Sequence, residues 1–387
     1  MKLPYALVTD LGQSGYGLIR GLGEAGIPTI GVHCECPWYY HSAATSKYLT
    51  EAHILPAQED KIALEFLTDL GRKFDQKPIV LVSSDWFIKF WDRHKSELGK
   101  YFDLPISGKY NLTEIIDKNR MMEIARAAGA VTPASRSVTK ETTIDNNFYS
   151  DLKFPLILKP SDIDVGTKKD MKVYHSVEEL KRELSSKLEH LETLVLQEFI
   201  PGEVDSHYET HGILVEGEPF IGYMNHKLRI FPPPPAAGST SFGETVWIDD
   251  LVDVTNNLLK EFDLRSIIHF EFKRDARDGV MKFLEVNYRS GSTVNMGTVA
   301  GINLPAIRYW AAVDPNRAHE LMSKEKRLGV KWMYESGDWL LREKGIVNKE
   351  EYDQSLKGLE TFALFNIEDP LPFFDALRNG SLFDSLD

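Results

Sequence analysis

An acid, an amide and a cation recur at every second position in the segment FLEVNYR, residues 283–289, as Glu285, Asn287 and Arg289. Alternate residues of a strand point to one face, so these three side chains would lie side by side. The preceding segment HFEF contains Glu271, and an Asp-Gly dipeptide between the two segments is a strong hairpin signal. Folding the chain at that turn puts Glu271 roughly opposite Glu285. Three oxygen-bearing side chains are therefore expected on one face of a β-hairpin.

Two carboxylates directly opposite each other destabilise a sheet unless a positive charge lies between them. A hard divalent cation such as Mg²⁺ fits, because it takes oxygen ligands and often shares them with substrate phosphates. The alternative is a solvated face on which Glu271 pairs with Lys282 or Arg289, and from the hairpin alone the two interpretations are equally supported. Zinc is disfavoured, because we expect no His or Cys on this face.

A metal that carries phosphates requires cations nearby, and three lysines upstream qualify. Lys118 begins a helical run, Lys159 ends the apolar strand LILKP, and Lys168 lies in the polar loop beyond it. A lysine at the end of a buried strand is costly to hide unless its ammonium meets an anion. The alternative is a lysine that extends its ammonium to solvent. Further on, QEFIPGE supplies Glu198 and, through Ile200, backbone polar groups next to a Pro-Gly turn.

These residues require a scaffold of several strands and helices. The segment from Tyr5 to Cys34 reads as strand, glycine turn, helix and strand, which predicts a parallel α/β unit. Residues 113–196 predict two short helices, a strand hairpin and an amphipathic helix capped by Ser176. Further strands precede residue 227, the stretch KLRIFPPPPAAGSTSFGE reads as a loop, and the chain after about residue 311 reads as helical.

Composition narrows the class of protein. The 387 residues carry a formal net charge of -13, which argues against nucleic acid or an anionic membrane as a partner. The two cysteines, Cys34 and Cys36, have no second pair with which to build a zinc site. No secretory leader and no apolar run of about 18 residues is present, so a cytoplasmic enzyme is expected.

The order of the motifs resembles that of the ATP-grasp superfamily. DKNR at 117–120, LKP at 158–160, QEFIPGE at 197–203, HFEF at 269–272 and LEVNYR at 284–289 follow one another at similar separations. The resemblance implies a doubly wound α/β domain followed by an ATP-grasp fold, in which two α+β subdomains clamp ATP. The domains are then expected at 1–112, 113–196, 197–310 and 311–387, the last a helical extension.

The resemblance also implies roles for individual residues. Lys118 and Lys159 match phosphate-binding lysines. The loop at residues 161–170 has one glycine, Gly166, where the phosphate-covering loop of the family often has several, and Lys168 or Lys169 would compensate for this. Glu198 and Ile200 match the adenine contacts, and either Glu203 or Asp205 matches the ribose acid. Glu271, Glu285 and Asn287 match the ligands of Mg²⁺, for which Mn²⁺ is an alternative. Arg289 matches the arginine that faces the transferred phosphate.

The carboxylate–amine ligase branch, to which HKLRIFPPPP is similar, joins an acid to an amine through an acyl phosphate. ATP and Mg²⁺ are then the cofactors, small-molecule carboxylates and amines such as amino acids are the substrates, and a homodimer is a frequent state. Lys227 and Arg229 are candidate substrate contacts, as are Gly12 and Ser14 at a helix N-terminus. Two alternatives stay open: an NAD-type dehydrogenase built on the glycines of residues 12–17, and a non-catalytic ATP-binding regulator.

Overall fold

The computed structural model describes residues 3–34, 42–106, 110–142, 148, 152–161, 171–234 and 238–380. Lys168, Lys169 and Cys36 lie outside these residues. Within the described part of the chain the strands form three sheets. Two of the sheets matter most for the site: the small antiparallel sheet carries the predicted Lys159, and the large sheet carries the predicted acids Glu271 and Glu285.

A four-stranded parallel sheet forms the N-terminal unit, and its strands follow the order β3-β2-β1-β4. Its strands and helices are β1 (Ala6–Thr9), α1 (Gln13–Glu24), β2 (Thr29–Cys34), β3 (Leu49–Leu55), α2 (Asp60–Gly71), β4 (Ile79–Val82), α3 (Asp85–Arg93) and α4 (Lys95–Leu98). The strands β1 and β4 are buried along their whole length, as expected for a parallel sheet covered on both faces. The predicted N-terminal α/β fold is therefore confirmed. Because β1 and β4 are neighbours, the residues that follow them, Asp10 and Ser83, come out at the same edge.

A small antiparallel sheet with the order β5-β8-β6-β7 carries the predicted Lys159, and Lys118 begins a helix that precedes this sheet in the chain. The elements of this unit are α5 (Leu112–Ile115), α6 (Lys118–Ala127), β5 (Ser135–Thr139), β6 (Leu156–Pro160), β7 (Lys172–Tyr174), α7 (Val177–His190) and β8 (Thr193–Glu198). As predicted, Ser176 caps α7, since its side chain accepts a hydrogen bond from Glu179 N. The buried leucines of α7 repeat every four residues and pack against this sheet.

The large sheet has seven strands in the order β13-β12-β9-β10-β11-β14-β15. Its strands and the helices of this part of the chain are β9 (His207–Val215), β10 (Glu218–Phe231), β11 (Ser239–Val246), α8 (Val252–Phe262), β12 (Ile268–Arg274), β13 (Met281–Asn287), α9 (Val294–Val299), α10 (Leu304–Val313), α11 (Pro315–Met322), β14 (Lys331–Met333), α12 (Glu335–Glu343), α13 (Lys349–Ser355), β15 (Leu359–Phe362) and α14 (Leu371–Arg378).

Two expectations for this sheet differ from the structure. The stretch KLRIFPPPPAAGSTSFGE is predicted as a loop, but KLRIF is the end of β10 and STSFGE belongs to β11, and these two strands pair as far as Phe231 and Ser239. The segment after residue 311 was expected to be a helical extension, but it also supplies β14 and β15, which continue the large sheet beyond β11. The domain boundaries at 112, 196 and 310 stay a prediction.

The core joins the N-terminal sheet to the large sheet. One buried cluster contains Leu7 and Val80 together with Phe270 and Leu259, and a second contains Val8 together with Trp332. The acid Asp369 accepts a hydrogen bond from Tyr16 Oη at 3.2 Å, which ties the C-terminal segment to α1. None of the described helices has the length and apolar character that crossing a bilayer demands.

Candidate active site

The acids of the hairpin meet as the sequence predicts. Glu271 on β12 lies directly opposite Glu285 on β13, and Asn287 Nδ2 is 3.4 Å from Glu271 Oε1. Burial and the neighbouring Glu271 raise the pKa of Glu285, whereas Lys159, Lys118 and Lys227 act in the opposite direction. The three ammonium groups therefore do not fully compensate for burial and for the repulsion between Glu285 and Glu271, and the charged form of Glu285 stays disfavoured.

Two of the three predicted lysines, Lys118 and Lys159, belong to the described residues, and both lie close enough to Glu285 to influence its ionisation. Asp117 caps α6 by accepting hydrogen bonds from Asn119 N and Arg120 N, which fixes Lys118 at the first helical position. A cation there opposes the helix dipole, so helix stability does not explain Lys118. Its Nζ donates to the Pro160 carbonyl at 2.8 Å, next to the end of β6.

Lys159 is almost entirely buried, with 8% of its surface exposed, and its Nζ donates to Gln197 Oε1 at 2.8 Å. Burial and the Lys118 ammonium lower the pKa of Lys159 to about 8, although Glu285 partly opposes this. The start of α6 and the end of β6 therefore present two ammonium groups that repel each other, and the large sheet presents two carboxylates that repel each other. An ion and polyphosphate between them would relieve both.

The alternative pairing of Glu271 with Lys282 or Arg289 is wrong. Lys282 pairs with Asp278, and Glu271 Oε2 instead accepts a hydrogen bond from Lys227 Nζ at 2.7 Å. Lys227 also contacts Glu209 Oε1 at 2.8 Å. Burial disfavours its charge, but the two carboxylates outweigh burial and raise the pKa of Lys227. The ammonium that was expected to contact substrate is thus bound by two acids of the chain.

The expectation that no histidine shares this face is also wrong. His269 precedes Glu271 by two positions on β12 and lies opposite both His211 and Asn287. The rings of His211 and His269 stack with centroids 4.9 Å apart. Burial lowers the pKa of His269 to about 3, with His211 adding to the effect, so its imidazole is neutral at physiological pH. Glu209 and the two histidines were missed, although HYETHG and HFE carry the alternating pattern.

Arg289 is held between the hairpin and the N-terminal domain. Its Nε and one terminal nitrogen donate to the two carboxylate oxygens of Asp85 at 3.1 and 3.2 Å, and Asp85 is the first residue of α3. Ser290 N donates to the Val82 carbonyl at 3.0 Å, so the loop after β13 is fixed to the end of β4. Arg289 therefore sits where the N-terminal domain, β13 and the acids converge.

Asp10, which follows β1, was not predicted. Its Oδ1 accepts a hydrogen bond from Gly12 N at 3.1 Å, so an acid of the chain already uses the first N–H at the start of α1. Burial raises the pKa of Asp10 to about 6, and the Gly12 hydrogen bond and Arg289 only partly oppose it. Ser14 lies in the first turn of α1. The roles of Gly12 and Ser14 as substrate contacts stay a prediction.

Arg229 lies at the far end of β10 and is already paired. Its Nε and one terminal nitrogen donate to Asp338 at 2.8 and 2.6 Å, and its guanidinium stacks over Phe242 at 4.2 Å. Asp338 is fully buried and also accepts from Ser241. A substrate carboxylate would therefore have to displace Asp338 from Arg229.

The residues proposed for the nucleoside lie on the connection between the small and large sheets. Glu198 ends β8, and its Oε1 accepts from Lys153 N at 2.9 Å. Ile200 is buried, with 4% exposed. Glu203 and Asp205 are both exposed, and the geometry does not distinguish between them as the ribose acid.

Comparison with known proteins shows which families this chain is similar to. A family model described as ATP-grasp in the biosynthetic pathway with Ter operon matches residues 237–336. The D-aspartate ligase of Enterococcus faecium (strain Aus0004) is 22% identical over 321 residues, which cover 78% of this chain and 74% of that protein.

Solved structures agree with the sequence comparison. The L-amino acid ligase from Bacillus licheniformis superimposes with a TM-score of 0.60 at 14% identity, over 84% of this chain and 76% of that one. The ADP complex of N5-carboxyaminoimidazole ribonucleotide synthetase gives 0.63 at 16% identity, over 86% of this chain and 81% of that one. The predicted ATP-grasp fold is therefore confirmed.

Proposed function

We propose that this chain, which has the ATP-grasp fold, is an ATP-dependent carboxylate–amine ligase. One observation carries the proposal. Glu285, opposite Glu271 on the large sheet, is near enough to Lys118 on α6 and Lys159 on β6 for each lysine to lower its pKa. Paired acids that face paired ammonium groups form a suitable frame for a metal-bound triphosphate.

The donor set fits a hard divalent ion. Glu271, Glu285 and Asn287 offer carboxylate and amide oxygens, and burial together with Glu271 keeps the pKa of Glu285 high until a cation arrives. These three residues would hold Mg²⁺, or Mn²⁺ in its place. When bound, the ion neutralises charge on the phosphates as the phosphoryl group is transferred.

The chain's own cations bind and orient the reacting groups. Lys118 and Lys159 hold the phosphates, with Lys168 as a further candidate. An oxygen of the substrate carboxylate attacks the γ-phosphorus, the bond to the β,γ-bridging oxygen breaks, and ADP leaves. The amine nitrogen then attacks the acyl carbon, the carbon–oxygen bond to phosphate breaks, and the nitrogen loses a proton. Arg289 stabilises the oxyanion that forms in the second step.

The remaining parts of the proposal concern the ligands. Glu198 and Ile200 contact the adenine, and Glu203 or Asp205 contacts the ribose. Amino acids are the proposed substrates, because the similar proteins named above are a D-aspartate ligase and an L-amino acid ligase. A homodimer and a cytoplasmic location also belong to the proposal.

A phosphate-release screen tests this function. The purified protein is incubated with ATP, Mg²⁺ and pairs of amino acids, and hydroxylamine is added in parallel to trap the acyl phosphate as a hydroxamate. We expect ADP formation only when a carboxylate acceptor is present, and hydroxamate that contains that acceptor. An ATPase rate indifferent to every acceptor, or ATP binding without turnover, would favour the non-catalytic regulator.

A further inference from the structure

Three carboxylates stand in a row across adjacent strands of the large sheet. Glu285 on β13 lies opposite Glu271 on β12, and Glu271 lies opposite Glu209 on β9. Directly opposed like charges destabilise a sheet, and here two such pairs share Glu271. The row therefore needs positive charge at two positions, one on each side of Glu271.

Lys227 supplies the positive charge between Glu271 and Glu209. Its Nζ is 2.7 Å from Glu271 Oε2 and 2.8 Å from Glu209 Oε1, and 4% of its side chain is exposed. Glu271 Oε1 faces the other way, toward Asn287 Nδ2 at 3.4 Å. The two carboxylate oxygens of Glu271 thus contact different residues, Oε2 the Lys227 ammonium and Oε1 the Asn287 amide.

Glu209 is fixed by contacts at both of its oxygens. Oε2 accepts from Asn225 Nδ2 at 2.9 Å and lies 3.3 Å from His211 Nε2, while Oε1 contacts Lys227. The carboxylate is buried, so its contacts cannot exchange freely with water. It therefore holds the Lys227 ammonium in one place beside Glu271.

The surroundings of this ammonium have the composition of a metal site. Glu209, His269 and Glu271 each offer a ligand atom, and these atoms lie within 4.8 Å of one another. His269 is 5% exposed, and its Nδ1 has no hydrogen-bond partner among the residues that the structure describes. Imidazole with two carboxylates is a donor set that transition metals accept readily.

We propose that the Lys227 ammonium takes the place of a metal ion in this second cation position, and that Glu209 is the positioning residue that holds it there. Lys227 thereby keeps Glu271 Oε2 occupied and leaves Oε1 to the side of Glu285 and Asn287. The inference rests on the proposed role of Glu271 in holding Mg²⁺. It adds that Glu209 and His269 bind no metal in the native protein.

Cobalt binding tests this directly, because Co²⁺ bound to imidazole and carboxylate absorbs in the visible range and its stoichiometry can be counted. Wild-type protein and the Lys227→Met variant are titrated with Co²⁺ without nucleotide. We expect the variant to bind one more equivalent than the wild type, with a new visible band. The double variant Lys227→Met with Glu209→Gln should lose that equivalent, and Lys227→Arg, which keeps the charge, should match the wild type.

Several results would overturn the proposal. Equal stoichiometry in wild type and Lys227→Met would mean that the ammonium does not take the place of an ion. A visible band of imidazole-bound Co²⁺ that is already present in the wild type and is lost on Glu209→Gln would mean that the metal displaces Lys227. A wild type that binds no Co²⁺ while Lys227→Met binds one would support this inference, because the two proteins still differ by the expected equivalent; the Mg²⁺ site of the proposed function would then form only with nucleotide bound.

The single variant Glu209→Gln provides a second measurement if Lys227→Met does not fold. Lys227 would then pair with Glu271 alone and neutralise more of its charge. We expect the affinity for Mn²⁺, followed by electron paramagnetic resonance, to fall at least about tenfold with the thermal midpoint within a few degrees of the wild type. Unchanged Mn²⁺ affinity would refute the positioning role of Glu209.

Discussion

Replacing Lys159 with methionine should make the ligand-free protein more stable and its binding of ATP much weaker. Burial and Lys118 lower the pKa of Lys159 from 10.5 to about 8. At 1.36 kcal/mol for each pH unit, this difference means that the charged side chain destabilises the fold by about 3 kcal/mol at neutral pH. Methionine fills similar volume without the charge but leaves Gln197 Oε1 without its donor, at about 1 kcal/mol. We therefore expect a net increase of about 2 kcal/mol in the free energy of unfolding.

The effect should depend on pH in a direction that follows from the same pKa. Since Lys159 titrates at about 8 in the folded protein and at 10.5 in the unfolded chain, the unfolded chain binds more protons between these values. Wild-type stability therefore gains with pH across that window, and the advantage of Lys159→Met shrinks. Urea unfolding followed by tryptophan fluorescence, at about pH 7 and at about pH 9.5, measures the difference.

A matched control is Lys140→Met, because Lys140 is exposed in the turn that follows β5 of the small sheet. It should change the free energy of unfolding by no more than about 0.5 kcal/mol and leave ATP affinity unaltered. For Lys159→Met, calorimetric titration with Mg²⁺ and ATP should give an affinity lower by at least about 100-fold, about 3 kcal/mol for a lost charge-assisted contact. A variant with wild-type stability at neutral pH and wild-type ATP affinity would refute the assignment of Lys159.

Three further substitutions probe other parts of the molecule. Glu285→Gln should lower ATP turnover at least about 1,000-fold without lowering the thermal midpoint, because burial and Glu271 already disfavour its charge; a variant that melts early would make Glu285 structural. Asp338→Asn should lower the free energy of unfolding in urea by about 3 kcal/mol, because it leaves the guanidinium of Arg229 without its carboxylate; an unchanged midpoint would contradict this. Asp10→Asn should stabilise the protein by about 3 kcal/mol well above pH 6, because burial raises the pKa of Asp10 from 3.8 to about 6, and the gain should vanish below about pH 4; a pH-independent difference would argue against this titration.

The sequence predicts the hairpin that carries the acids because its turn signal and its strands are adjacent along the chain. The Asp-Gly turn alone does not fix the pairing of the acids, however. Next to the turn Phe272 lies opposite Phe283, and a one-residue shift of the register between Phe272 and Glu271 brings Glu271 opposite Glu285. The Ser176 cap and the end of α6 before Gly129 are local in the same sense, since Gly129 takes the positive φ of 92° that favours glycine.

Contacts between distant strands could not be predicted in this way. Glu209 lies opposite Glu271 only because β12 pairs with β9, which precedes it by some 60 residues, and no turn fixes that register. The engagement of Lys227 by both acids depends on the same pairing. The expectation that no histidine lies on this face was an avoidable error, because the alternation of side chains along a strand alone places His269 on the same face as Glu271.

The C-terminal strands escaped prediction because they are short and their pairing comes from elsewhere. KWM and LETF offer three and four residues, too few for a recognisable alternation. They form because β11 presents a free edge, to which β14 adds antiparallel and β15 then adds parallel. Likewise, the prolines after Phe231 indicated a loop, but β10 continues up to them through its pairing with β11.

The site has two groups of buried charge, the lysines and the glutamates, and repulsion within each group opposes its charged form. Lys159 is destabilised by burial and by Lys118, and Glu285 is destabilised by burial and by Glu271. Lys159 and Glu285 attract each other, but each still has a pKa shifted toward its neutral form. The charged side chains of the site thus lower the stability of the ligand-free protein, and ligands of both signs should remove this cost. It follows that Mg²⁺ with ATP should stabilise the protein more than the sum of either ligand added alone, because the triphosphate satisfies the lysines and the metal satisfies the acids.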